Sequence, residues 1–191
     1  MKKIFTVLLL AVCITALAQQ PAKPISTDAA FNEAINKVVL DFTHNFINIQ
    51  GAKMPADIDA DSYKSKVCLP GALGCKVMRY RSLEDKSANW QAGLYDGESY
   101  EEALKLYKKI FAQVKKTPVR GVATTAAGFA GKLETVDENV GFAVSSLRLK
   151  TTNKAYKDLV VEVEITSNYT GWEVRLNIYT KKLIEEEKED G

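Results

Sequence analysis

The chain has 191 residues, with 26 Lys and Arg against 24 Asp and Glu, one His and three Cys. A 46% hydrophobic and 26% charged composition is that of a globular protein, which excludes a disordered tail, a collagen-like fibre and a Cys-dense mini-scaffold. A formal charge of +2 argues against an electrostatic grip on nucleic acid, and one His with three Cys leaves little material for metal or nucleophile chemistry.

Lys2 and Lys3 precede an apolar run from Ile4 to Leu17, and Ala16-Leu17-Ala18 supplies the small residues that signal peptidase requires. The pattern predicts a signal peptide over 1–18, cleaved before Gln19, with a short n-region like that of Gram-negative signals. The run is too short for a stable membrane span, and the Gln-Gln-Pro after it is polar. Cys13 sits inside the run with Val12 before it, whereas a lipidated Cys would end the run after a small residue. Removing the segment leaves 24 bases against 24 acids and two Cys. The chain is therefore expected in the periplasm or outside the cell. Residues 19–27, with Pro21 and Pro24, read as a leader.

Phe31, Ile35, Val38, Phe42, Phe46 and Ile49 recur at helical steps, which predicts a helix over about 28–50. Cys75 to Arg81 and Asn89 to Tyr95 suggest two strands. Ser99-Tyr100-Glu101-Glu102 is a capping-box pattern, followed by the apolar stripe Tyr100, Ala103, Leu104, Tyr107, Phe111 and Val114. Lys115 and Lys116 suit the dipole of the last turn, and Thr117-Pro118 ends this second helix. Residues 117–137 read as either loop or strand. Val140 to Leu149 is a third strand.

Two more follow, in which Leu159, Val161, Val163 and Ile165, then Trp172, Val174, Leu176 and Ile178, alternate with polar residues around an Asn168–Gly171 turn. The expected fold is α+β over 28–184, with a five-strand antiparallel sheet and two helices on one face, in the order α-β-β-α-β-β-β. The acidic tail 185–191 reads as solvated.

Cys68 and Cys75 are the only cysteines after cleavage. In an exported protein this pair, around Leu-Pro-Gly-Ala-Leu-Gly, predicts a structural disulfide. Its spacing is not the Cys-x-x-Cys of redox catalysts. Asp57, Asp59 and Asp61 form half of a calcium loop; Ser62 stands where the loop turns on Gly, and Cys68 where it takes a bidentate Glu. His44 lies off the apolar stripe and has no Gly-x-Ser-x-Gly partner. Glu162 and Glu164 share one strand face, which reads as the solvent face.

These features give no catalytic or cofactor-binding residues. They point to an exported, non-catalytic binding protein for a protein, peptide or envelope component. The alternatives are a small exported hydrolase using a carboxylate pair, and a module stabilised by Ca²⁺ at Asp57, Asp59 and Asp61.

Overall fold

The computed structural model describes residues 28–55, 60–81 and 87–181. The predicted signal peptide, leader and acidic tail, together with Asp57 and Asp59, lie outside the described residues.

The first helix, α1, spans Asp28–Asp41. It ends nine residues before the predicted stop, and the cause is Asp41. Its buried carboxylate accepts from the backbone N–H groups of Asn48 and Ile49, both at 3.1 Å, and from the Asn48 amide at 2.5 Å. Those bonds hold a reversal that begins as a 3-10 turn over Phe42–His44 and carries Asn45 and Phe46 at positive φ. Phe46 and Ile49 nevertheless stay in the core, so their spacing continues the helical pattern where the helix itself has stopped.

Four strands follow: β1 (Gln50–Lys53), β2 (Ala60–Ser65), β3 (Gly74–Tyr80) and β4 (Ala88–Gly97). The second helix, α2 (Tyr100–Lys116), starts at Ser99, whose hydroxyl accepts from the backbone N–H of Glu102. Four more strands complete the described chain: β5 (Phe129–Gly131), β6 (Phe142–Leu149), β7 (Leu159–Asn168) and β8 (Gly171–Thr180).

All eight strands form one antiparallel sheet in the order β1-β2-β3-β4-β8-β7-β6-β5. The expected five-strand sheet with two helices packed on one face is therefore corrected. The fold is mostly sheet, with β1, β2 and β5 added. α2 packs across β4, β5, β7 and β8, while α1 docks on α2 and on the segment after it. Asn32 and Asn36 of α1 accept from the Thr117 hydroxyl and from the Arg120 N–H, both at 2.7 Å. Residues 117–137 contain the short β5 and, before it, a single bridge between Val119 and Ala127.

The element order runs twice through a helix and a four-strand meander. The last strand of each run, β4 and β8, pairs at the sheet centre, and the first of each, β1 and β5, forms an edge.

One sheet face is apolar. Val77, Trp90, Ala92, Leu94, Leu147, Val161, Val163, Ile165, Val174, Leu176 and Ile178 are buried there with the inward residues of α2, and α1 joins the same core from beside α2. Within this core the Tyr107 hydroxyl meets Ser145 Oγ at 2.5 Å, and Ser145 Oγ also accepts from the Glu134 N–H at 2.8 Å. Because strand side chains alternate, the other phase of the same strands forms a second face, which no helix covers among the described residues.

Candidate functional site

The uncovered face is organised by register. Lys64 on β2 stands opposite Lys76 on β3, Lys76 opposite Gln91 on β4, and Gln91 opposite Asn177 on β8. Asn177 then faces Glu162 on β7, and Glu162 faces Ser146 on β6. Six strands thus present one transverse polar row. At about 4.8 Å per strand it extends roughly 24 Å.

Neighbouring side chains in the row are bonded to one another. The Gln91 amide donates to Asn177 Oδ1 at 2.8 Å, and the Asn177 amide reaches Glu164 Oε2 at 3.4 Å. Glu162 accepts from Ser146 Oγ at 2.8 Å and from Lys181 Nζ at 3.2 Å. Arg175 pairs with Glu164 at 3.7 Å and with Glu173. The Tyr179 phenol is pushed well above its ordinary pKa, first by burial and then by the neighbouring Glu162 carboxylate. It stays protonated as a donor at neutral pH.

Two depressions lie along this face. The larger, about 860 Å³, is lined by Lys76, Met78, Tyr80, Asn89, Gln91, Glu162, Glu164, Arg175, Asn177 and Tyr179, among others. The second, about 640 Å³, has Lys64, Leu73, Gly74 and Gly93 in its wall and shares Lys76 and Gln91 with the first. Gly74 and Gly93 are cross-strand partners. A Cβ on Gly74 would stand in open space, and one on Gly93 would come no closer than 3.9 Å to the Gly74 carbonyl oxygen. Their missing side chains keep the trough open and are not demanded by local crowding.

Asn89 is only 8% exposed, and its Oδ1 has no hydrogen-bond partner among the described residues. A buried polar atom is normally bonded, so this acceptor is an exception that needs a reason.

The residues singled out from sequence distribute unevenly around this site. Cys68 and Cys75 are joined, with their Cα atoms 5.3 Å apart, and Cys75, the second residue of β3, lies in the wall of the second depression. Asp61 lies on β2 and is held by Lys53 at 3.1 Å and Arg81 at 3.0 Å. The hydrogen bonds from these two cations hold its carboxyl below the usual carboxylate range, the Arg81 bond contributing most. His44 is on the exposed 3-10 turn, 3.6 Å from Asp41, and lines neither depression.

Glu162 and Glu164 face the larger depression and are both bonded to neighbours. Asn89, Gln91, Arg175, Asn177 and Tyr179 carry no signature as isolated residues. The sequence signals among them are the mid-strand placement of Asn89 and Asn177, which strands disfavour, and Tyr179, a residue type common as an interface anchor.

No known protein family, curated protein or solved structure matches this chain. Among the described residues no helix is long and apolar enough to cross a membrane.

Proposed function

We propose that the chain is an exported, non-catalytic binding protein whose ligand lies on the uncovered sheet face. The observation that carries this reading is the transverse row from Lys64 to Ser146, a polar surface prearranged by strand register over two adjoining depressions. Prearranged side chains lower the ordering cost of binding.

Glu162 and Glu164 are held by Ser146, Lys181, Arg175 and Asn177, an arrangement suited to holding hydroxyls and amides more than to moving a proton. The Cys68–Cys75 bridge suits an oxidising compartment. Together with the N-terminal pattern it supports a periplasmic or extracellular location.

The test is photo-crosslinking in the exporting cell. A benzophenone amino acid is placed at Gln91 on the open face or, as a control, at Lys108 on the exposed side of α2. Adducts formed at position 91 and not at 108 are expected. Equal yields at both positions, or none at 91, would remove the open face from the account.

A further inference from the structure

Two features of the open face have no internal explanation. Lys64 and Lys76 are directly opposed on adjacent strands, and neither forms an ion pair among the described residues. Like charges in that position repel and destabilise a sheet. An anion lying between the two ammonium groups reverses the sign of that interaction. The second feature is the buried, unpartnered Oδ1 of Asn89, which needs a donor that the described protein does not supply.

These two requirements lie beside a row of groups suited to hydroxyls, the lysine pair at one end of it and Asn89 two residues from Gln91 on β4. Gln91 and Asn177 offer carboxamides, and Glu162 and Glu164 offer carboxylates already matched by cations. The Tyr80 ring, 49% exposed, offers a flat apolar surface beside them. The trough floor at Gly74 and Gly93 has no side chains, so a ring can approach the backbone.

A polypeptide added by strand pairing needs free main-chain groups at a sheet edge. Here the central strands β3, β4, β8 and β7 are paired on both sides, so recognition on this face falls to side chains.

We infer that the open face binds an oligosaccharide that carries an acidic group. The acidic group sits between Lys64 and Lys76, and the sugar hydroxyls engage Gln91, Asn177 and the unpartnered acceptor of Asn89. This deepens the reading of the open face as a binding surface and rests on it.

The experiment is a ¹H–¹⁵N NMR titration of the exported chain with three probes: trigalacturonate, uncharged cellotriose and tri-glutamate. Trigalacturonate is expected to shift amides of β3, β4 and β8, and to bind about ten-fold more tightly than cellotriose. Lys76→Gln should erase that preference. Because this substitution also relieves the Lys64–Lys76 repulsion, its melting temperature should not fall, which separates lost binding from lost folding. Asn89→Leu should weaken trigalacturonate about five-fold, the loss expected for one neutral hydrogen bond. Gly93→Leu, which fills the trough, should abolish the shifts.

Tri-glutamate shifting the same amides while trigalacturonate does not would overturn the carbohydrate assignment and leave the open-face reading standing. Equal binding of trigalacturonate and cellotriose would overturn the acidic subsite. Shifts confined to other surfaces, or none with any probe, would overturn the inference, and crosslinking at Gln91 then decides whether the open-face reading falls with it. Cleavage of either sugar would replace a binding protein with a hydrolase.

Discussion

Replacing Asn89 by Leu should make the protein more stable. Asn89 sits in the middle of the sheet, on β4 opposite Met78, 8% exposed and with its carbonyl oxygen unbonded among the described residues. Leaving such an acceptor buried without a partner costs about 1–3 kcal/mol. Leu shares the branch at Cγ and the number of side-chain heavy atoms, is bulkier because its two branches are methyls, presents no orphan polar atom, can pack on Met78, and is better suited than Asn to a strand. A net gain of about 1–2 kcal/mol follows, the remainder being lost to imperfect fit. For a chain of this size that is a rise in melting temperature of roughly 3–6 °C.

Urea unfolding followed by Trp fluorescence measures it directly, as a higher midpoint at unchanged slope. Gln91→Leu is the control one pleat away. It removes the bond to Asn177, so its midpoint should fall slightly. A destabilised Asn89→Leu protein would mean that the amide is holding the sheet together and is not waiting for a ligand. A stabilising substitution at a residue that binding needs is the usual mark of a site retained for function at some cost to the fold.

Three further outcomes test the packing. Ser145→Ala should cost about 2–4 kcal/mol, because it strands both the Tyr107 hydroxyl and the Glu134 N–H; Tyr107→Phe leaves Ser145 bonded to Glu134 and should cost about 1 kcal/mol. Equal urea midpoints for the two variants would contradict that asymmetry. The phenols of Tyr95, Tyr107 and Tyr179 are all raised, burial being the largest cause in each, so the folded state holds these protons more tightly than the unfolded state. Their contribution is complete below the ordinary phenol value near 10 and is lost as pH rises above it, so phenolate absorbance should rise together with loss of structure; ordinary titration of every phenol in an intact fold would refute this. Reducing the Cys68–Cys75 bridge should lower stability by about 2.5 kcal/mol in the chain-entropy view of so short a loop, read from urea curves with and without reductant. Coincident curves would show that the bridge constrains nothing the fold does not already fix.

The parts of the fold that sequence conveyed were those where burial and period coincide. β7 and β8 alternate cleanly because one phase packs under α2 and the other faces outward, and α2 carries both its cap and its stripe. β2 was invisible for a specific reason. The phase that shares its side with the core partners consists of Asp61, Tyr63 and Ser65, with Ser65 Oγ accepting from the Trp90 indole at 3.0 Å, so no apolar alternation exists to be read. β1 and β5, at four and three residues, are too short to show a period.

The end of α1 is hidden in the sequence because Phe46 and Ile49 remain core residues after Asp41 has turned the chain. In the sequence the open face is legible only as the polar phase of separate strands. Its joining requires the β4–β8 pairing, which brings Gln91 to Asn177 across 86 residues of sequence, and no local pattern encodes that register. Asn45 shows the same dependence on distant partners: its carbonyl accepts from Arg79 at 2.9 Å and its side chain accepts from the Ala88 N–H at 2.7 Å, so a turn after a helix is fixed by two later strands.

On the proposed function, the open face is occupied where the protein works. Lysine footprinting tests it without any substitution. Acylation of Lys64 and Lys76, on the open face, is compared with acylation of Lys108 and Lys109, on the exposed side of α2, in the native compartment and in the purified protein. Occupancy predicts that Lys64 and Lys76 react several-fold more slowly in the compartment than after purification, while Lys108 and Lys109 react alike in both. Unchanged reactivity at all four lysines would show that nothing occupies the open face there.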